Sequence, residues 1–471
     1  MSNVGPAPDS SVPPRVLTIR EKLGYGSGDV GFNFLFDMGQ LYLLIFFTDQ
    51  LGLNPAVAGG VFLVAKIWDA FADMAVGTWV DNQKNIGKRG RYRSFIFWGT
   101  IPLAILLIAT FTDPGLNITG KTIWAYASYM IFGTAYSICN IPYGSMIPAM
   151  TNNPQERSVL ASMRQGGGNL GLLLATVAFW PIVNSFENRQ VGFTVAVSIF
   201  AAAGTFLIYF MYFNTKERYD FAIESSVETT DEKVPLRKQF AQLTKNRPLL
   251  GMSIASLFIF SAFNVRLAVQ VYFAEYILHD SSAVSYIGIF AIACVFPGVA
   301  LVPFLTKHIG KRWTYILGCT IWLGADILGF LFVDSTTMFV ILSCFAFFGS
   351  SLPNTLNWAM VSDCVDYGEW KTGVRNQAMT YSAFIWFRKV SQALAGFIPG
   401  VVLAAVGYVA NQEHQPESTL AGIRFLLFGY PAIMCVATIV CILVIYNLTD
   451  EKYISITKDL SERRGSEAAT Q

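Results

Sequence analysis

Apolar residues run in long blocks along this chain, and the polar residues collect between them. Twelve blocks are long enough to cross a bilayer: 29–52, 55–80, 94–112, 121–150, 158–186 and 191–213, then 248–278, 281–306, 314–333, 336–360, 377–407 and 420–447. A helical span needs about 20 mostly apolar residues, so the longer blocks predict tilted helices or helical extensions beyond the lipid. Between the sixth and seventh blocks, Asn214 to Arg247 carries Lys216, Glu217, Arg218, Asp231, Glu232 and Lys233. This reads as a solvated connector. The expected organisation is an N-terminal six-helix half with its tail (1–213), a connector (214–247) and a C-terminal half with its tail (248–471).

Composition points the same way. The chain has 471 residues, 53% hydrophobic and 14% charged, with mean hydropathy +0.46. Soluble domains carry about 25% charged residues. A globule of this composition lacks polar surface, and lipid removes that shortfall because apolar side chains can then face outward. The net charge of +2 and the absence of a basic stripe interleaved with aromatics argue against a nucleic-acid partner. Membrane lipid is the expected surroundings. Of the seven cysteines, all but Cys364 lie in apolar blocks and none forms a CxxC pair, so packing is their expected role. Met1 to Arg20 is polar and Pro-rich, with no apolar core of a cleavable signal peptide. His279, His308 and His414 are all read as loop residues. No nucleophile or metal cluster is visible, so an enzyme is not expected, with no catalytic or metal-binding residues. No pore-filter motif suggests a channel.

With twelve spans both termini share a side. Of the 33 lysines and arginines, only Lys121, Arg189 and Arg424 fall in loops on the opposite side. The positive-inside bias therefore predicts cytoplasmic termini. Gly87-Lys88-Arg89 lies between blocks two and three, and Gly310-Lys311-Arg312 between blocks eight and nine. This weak repeat agrees with a six-plus-six layout. That layout is the major facilitator architecture, all-α, with substrate bound between the halves near the midplane.

Ionisable groups inside spans are expensive unless paired or hydrated, which makes each a functional candidate. Asp29, Asn33 and Asp37 repeat every four residues and share one face of the first span. Asp69 and Asp73 do the same in the second. Two such carboxylates do not both ionise cheaply unless a cation lies between them, which suits ion coupling. The structural alternative is a pair satisfied by Lys66 or a neighbouring helix. Asn140 precedes Pro142, which frees a carbonyl toward a cavity or simply kinks the helix. Arg164 opens the fifth span beside Gly166-Gly167-Gly168, whose lack of side chains permits close helix approach. It either meets substrate or snorkels to the surface. Arg266 and Gln270 lie one turn apart in the seventh span, for ligand contact or a structural salt bridge. In the eleventh span, adjacent Arg388 and Lys389 point about 100° apart, one to a cavity and one to a neighbouring helix. Trp358 near the end of the tenth span stacks on a sugar ring or anchors the interface.

The stretches GYGSGDVGFNF, LVAKIWDAFADM, GKRGRYRSF, YSICNIPYGSM, SDCVDYGEWKTGVR and FRKVSQALAGFIPG together resemble the glycoside–pentoside–hexuronide:cation symporters, the melibiose- and glucuronide-permease group, from Tyr25 to Leu448. The resemblance implies that Asp69 and Asp73 bind the coupling cation, with Ser137 at the position of a cation-ligand threonine. It implies substrate roles for Arg164 and Trp358, and it favours Lys389 over Arg388 as the cavity residue. Asn33 and Asn140 stand where melibiose permeases carry aspartates, and Gly144 where they carry a tryptophan. Two carboxylates are thus missing. A neutral Asn140 weakens a sodium cage, and a neutral Asn33 lowers the barrier to an anionic sugar. FNVRLAVQVYF and YGEWKTGVR look most like the branch associated with sulfoquinovose and its glycosides. The expectation is a monomeric, proton-coupled importer of an acidic sugar or glycoside, such as sulfoquinovose, its glycosides or a glucuronide. Cation coupling rests on Asp69, Asp73, Asn140, Ser137 and Lys389; the substrate meets Asn33, Asp37, Arg164, Arg266, Gln270, Trp358 and Lys389. No cofactor is expected beyond co-transported H+ or Na+. A sodium symporter of a neutral glycoside or pentoside is the nearest rival, and a non-transporting sugar sensor a distant one. Lys88–Arg93 and Lys311–Arg312 are expected to latch one state against Asp81 and a loop holding Asp363, Asp366 and Glu369.

Overall fold

The computed structural model describes residues 16–81, 89–151, 153–218, 246–373, 377–412 and 414–470. Most of the connector, with Asp231, Glu232 and Lys233, lies outside them, as do Gly87 and Lys88. Among the described residues regular structure is helical throughout. In the first half, α1 covers Ile19–Ile45 and continues as a π-helical turn, Phe46–Gln50. It is followed by α2 (Pro55–Asp81), α3 (Arg91–Thr110), α4 (Ile118–Met150), α5 (Pro154–Val183) and α6 (Arg189–Asn214). The second half begins with α7 (Arg247–Tyr276). Then α8 runs from Ala283–Tyr286 through a π turn, Ile287–Ile292, to residue 309, and α9 covers 311–332. After these come α10 (Thr336–Thr372), α11 (Gln377–Ala405) and α12, which joins Glu417–Arg424, a π turn Phe425–Gly429 and Tyr430–Val444. A final helix, α13 (Asp450–Thr470), packs on α10 and α9.

Among the described residues nine helices are long and apolar enough to cross a membrane. One of them, Ala283–Phe332, bends at Gly310 (φ 81°) into α8 and α9. At the expected positions of the remaining two spans lie α4 and α11, which carry Ser137, Asn140, Arg388 and Lys389. Two boundaries differ from the hydropathy reading. Helix α1 starts at Ile19, ahead of residue 29, because Thr18 and Glu21 form a capping box, with the Thr18 amide donating to Glu21 Oε2 at 2.9 Å. Helix α10 runs on to Thr372, so Asp363, Asp366 and Glu369 are helical and not in a loop. Its polar end is held by Lys311 Nζ on Asp363 Oδ2 (2.6 Å) and Tyr453 on Asp366 (3.0 Å). The Lys311–Asp363 contact lies within the second half, not across the two. His308 is likewise helical, its Nδ1 lying 2.7 Å from the Phe304 carbonyl.

Among the described residues a left-handed glycine precedes a helix at a corresponding place in each half. Gly90 (φ 90°) breaks the chain before α3 as Gly310 does before α9. Both following helices are then capped by a distant acid. Glu217 accepts from the Arg91 and Arg93 amides at 2.8 and 2.6 Å, and Asp450 from the Lys311 amide at 3.4 Å. Negative charge at a helix N-terminus meets the positive end of its dipole. Burial pushes the Glu217 carboxyl above its ordinary range, against the opposing pull of the Arg93 and Arg91 amides.

The two halves meet through α2 with α11, α1 with α7, and α5 with α8. The meeting points lie toward the side opposite the termini. There α2 and α11 touch backbone to backbone: a Cβ on Gly400 would stand 2.5 Å from the Pro55 carbonyl oxygen and 2.7 Å from Gly59 Cα. On the terminus side, Met163 and Gln165 of α5 and Trp358 and Ser362 of α10 are exposed. This arrangement is shut away from the termini and open toward them.

Candidate transport site

Helix α2 turns Lys66, Asp69 and Asp73 onto one face, at i, i+3 and i+7. They line a chamber of about 120 Å³ with Tyr136, Ser137 and Asn140 of α4 and Lys389 and Gln392 of α11. Each carboxylate has its own amine. Lys66 Nζ lies 3.2 Å from Asp69 Oδ2, and Lys389 Nζ bonds Asp73 Oδ2. Ser137 donates to Asp73 Oδ1. Two ammonium groups thus stand against the two carboxylates, and one of them comes from the other half of the molecule. Asp69 Oδ1 is buried and has no hydrogen-bond partner. It points at Gly133, where a Cβ would stand 2.2 Å away. An unpartnered buried carboxylate oxygen is an acceptor for a proton or a small cation. The chamber has room for a few waters at about 30 Å³ each, and it falls below the roughly 300 Å³ at which small-molecule pockets begin. Its size suits a cation rather than a sugar.

A second cluster joins α1 to α5. Arg164 Nε donates to Asp29 Oδ1 at 3.2 Å. Asn33 Nδ2 turns back to the Asp29 carbonyl (2.8 Å) and to Oδ2 (3.1 Å). The glycine run brings the helices together as expected: a Cβ on Gly167 would meet the Gly26 carbonyl oxygen at 2.4 Å, and one on Gly168 would meet Asp29 Oδ2 at 2.8 Å. Gly144 has a specific role here. A Cβ at that position would already stand 3.1 Å from Arg164 Nη1, so a large side chain would displace the guanidinium.

Across the gap, Trp358 of α10 is 39% exposed and stacks with Tyr381 of α11 at 6.3 Å between ring centres. The Arg388 guanidinium lies over the rings of Phe260 (5.0 Å) and Trp358 (5.8 Å).

Three expected site residues are placed elsewhere. Arg266 is 2% exposed and pairs with Asp326, which is fully buried. It also donates to Ser343 Oγ at 3.1 Å. All three belong to the second half, so the charge is satisfied inside that bundle and does not face the chamber. Gln270 is buried one turn away, with both side-chain polar atoms unpartnered. Asp37 shares a face with Asp29 and Asn33, yet it is buried, does not line the chamber, and leaves Oδ2 without a partner.

A polar knot closes the far side of the molecule. Asp49, in the π turn that ends α1, accepts from Tyr276 of α7 and, at 2.6 Å, from Tyr408. Asn411 donates to the Asp49 carbonyl. Thr48 Oγ1 lies 2.9 Å from the Tyr272 hydroxyl. Asn184 donates to Ser281 at 2.8 Å, and Arg189 pairs with Glu275 at 2.6 Å. Asp49 was legible only as the ragged end of the first apolar block. Besides the adjacent Thr48, its partners lie more than 220 residues away in sequence, and no spacing signal joins them.

Comparison with known proteins agrees with this architecture. Residues 24–450 match the family described as MFS/sugar transport protein. A putative 2,3-dihydroxypropane-1-sulfonate exporter of Escherichia coli (strain K12) is 44% identical over 449 residues, covering 95% of this chain and 96% of the relative. A putative sulfoquinovose importer of the same organism is 42% identical over 457 residues, covering 97% and 96%. Among solved structures, a mutant of the nucleoside transporter NupG superposes with a TM-score of 0.66 at 14% identity, covering 89% of this chain and 99% of that one, which bears on the fold alone. With an all-helical two-half fold, a polar chamber between the halves and a family match over most of its length, the chain is a multi-pass membrane sugar transporter of the major facilitator superfamily and belongs to the glycoside–pentoside–hexuronide:cation symporter family.

Proposed function

We propose that this chain is a proton-coupled symporter that imports an anionic sugar, such as sulfoquinovose, its glycosides or a glucuronide, by alternating access. The observation that carries the coupling is Asp73, held at once by Ser137 of the first half and Lys389 of the second. A charge state at that carboxylate is thereby tied to how the halves meet. Protonation of Asp73 removes the attraction for Lys389 and frees the halves to rearrange; Asp69, with its open Oδ1, is the second proton acceptor. Asn140 adds no third carboxylate, which favours a proton over a sodium cage. Arg164, Asn33 and Trp358 address the sugar. Arg266 and Gln270, held inside the second half, and buried Asp37 are left out of the substrate site.

The anionic class is supported by the names of the two relatives given above, each of which carries a sulfonate on a polyhydroxylated carbon chain. With cytoplasmic termini, as the loop charges predict, the state described is inward-open, and the chain works as a monomer of two halves joined by the 214–247 connector. Outward transport is a second reading, favoured by the exporter name of the 44% identical relative.

The test is uptake of sulfoquinovose, a glucuronide and melibiose into membrane vesicles under an imposed pH or sodium gradient. Acid-driven accumulation of the anionic sugars is expected. Sodium-driven accumulation of melibiose would overturn both the coupling and the substrate class, and accumulation only in inside-out vesicles would reverse the direction. Asp69→Asn should abolish accumulation and spare exchange; retained accumulation removes Asp69 from coupling.

A further inference from the structure

We propose that Arg247 and Arg312 form a seat for the phosphate of an anionic phospholipid on the terminus side of the membrane, where the ends of α7, α9 and α12 meet. The seat lies outside the transport site and does not depend on the substrate class.

Arg247 is the first residue of α7, and Arg312 lies in the first turn of α9. Both side chains reach the end of α12. Arg247 Nη2 donates to the Val444 carbonyl at 2.9 Å, and Arg312 Nη2 to the Leu443 carbonyl at 2.8 Å. These neighbouring carbonyls belong to the last turn of the helix, where no intrahelical donor follows. Capping them takes one N–H of each guanidinium. A guanidinium has five, so most of both forks is left over. The same contacts bring two like charges onto adjacent oxygens, and no acid comes with them. Among the described residues neither arginine has a carboxylate within ion-pairing distance. Asp450, the next acid along the chain, accepts from the Lys311 amide at 3.4 Å instead. Arg312 Nε is buried and has no hydrogen-bond partner.

The surroundings select the kind of anion. Leu443 and Val444, whose carbonyls hold the two guanidinium groups, are 43% and 61% exposed, and Trp313 beside Arg312 is 56% exposed. In a chain that spans the bilayer such apolar surface faces lipid tails, and an exposed tryptophan near a helix end marks the level of the headgroups. The arginines therefore stand at the edge of the apolar belt, where acyl chains give way to phosphates. A basic pocket between helix ends at that depth suits an anionic headgroup. A planar fork on each side matches phosphate oxygens. A soluble phosphate ester offers the same oxygens but no acyl chain to lie along Leu443 and Val444.

The test is native mass spectrometry of the purified full-length protein in detergent, with equal amounts of phosphatidylglycerol and phosphatidylcholine added. Wild type, Arg247→Gln and Arg312→Gln are compared with Lys216→Gln, a control at an exposed cation of the first half. Wild type and Lys216→Gln are expected to retain phosphatidylglycerol in preference to phosphatidylcholine. Each arginine variant should lower that preference about fivefold, the effect of one basic residue at an anionic surface. Losing a helix cap alone would destabilise the protein and leave the preference as it was. If a glutamine variant does not fold, Arg247→Lys or Arg312→Lys takes its place; it keeps the charge without the fork, and a smaller drop is expected. An unchanged preference in the arginine variants, or an equal drop in Lys216→Gln, overturns the seat. A rise in the thermal unfolding midpoint with glycerol 3-phosphate as large as that with phosphatidylglycerol would assign the arginines to a soluble phosphate and overturn the lipid.

Discussion

The Tyr408 hydroxyl donates to Asp49 Oδ1 at 2.6 Å, joining the end of α11 in one half to the end of α1 in the other. Tyr276 reaches the second carboxylate oxygen and lies 2.9 Å from Tyr408, so the three groups form a closed ring of polar contacts. Hydrogen bonds to an ionised carboxylate contribute about 1.5–3 kcal/mol each. Breaking this knot should shift the balance between the two access states. For Asp49→Asn, and more so for the pair Tyr276→Phe with Tyr408→Phe, we expect the far side to open. A cysteine pair at Asn184 and Ser281 should then cross-link about tenfold less, since 1.4 kcal/mol is tenfold in population. Unchanged cross-linking would show that the knot does not hold the gate.

The same gate depends on the contact of α2 with α11. Gly400 admits no Cβ without moving the Pro55 carbonyl, 2.5 Å away. Gly400→Val should force the helices apart and trap the protein open on the side opposite the termini. Labelling of a cysteine at Ala56 by a membrane-impermeant reagent should rise, and net transport should fall while substrate still binds. Normal transport would mean that this contact is dispensable.

Arg266 and Asp326 form a buried ion pair inside the second half. Removing one partner of such a pair costs about 3–5 kcal/mol, because the other charge is left uncompensated. Arg266→Ala should lower the thermal unfolding midpoint in detergent, and the double variant with Asp326→Ala should recover most of it. Substrate preference should be the same in whatever fraction folds. A changed ratio of sulfonated to neutral sugar binding would return Arg266 to the transport site.

Acid sensitivity should appear in the loop between α7 and α8. The Ser282 hydroxyl, with help from Thr336, holds the Asp280 carboxyl below its ordinary value of 3.8. A depressed value means that the contribution is present above 3.8 and is lost as pH falls through the lower, folded-state value. Wild type should therefore lose stability more steeply than Asp280→Asn as pH falls from 3.8 toward the lower, folded-state value. Parallel acid profiles in thermal unfolding would contradict this.

Much of the architecture could be read along the chain. Lipid leaves backbone groups no partner outside their own segment, so long apolar runs become helices with little dependence on their neighbours. The spacing of Asp69 and Asp73 placed both on one face before any contact was known. The glycines beside Arg164 announced the close approach of α5 to α1. Where the reading stopped, the cause was the same each time. Hydropathy did not carry α10 past residue 360, because its polar end is satisfied by α9 and α13. Of the two Gly-Lys-Arg tripeptides only the second lies wholly in the described residues, and among those residues the left-handed glycines that precede a helix in each half are Gly90 and Gly310.

By itself, then, the sequence determined the all-helical fold, the order of the apolar segments and the identity of the charged residues within them. These follow from local composition and helical periodicity. Which charges meet was decided only by tertiary structure. Arg266 found Asp326 on α9 and left the central space, while Lys389 crossed to Asp73 and Arg388 stayed without a carboxylate. A buried charge is stabilised by whatever lies within a few ångströms of it, and in a bundle of long helices those neighbours come from segments tens to hundreds of residues away.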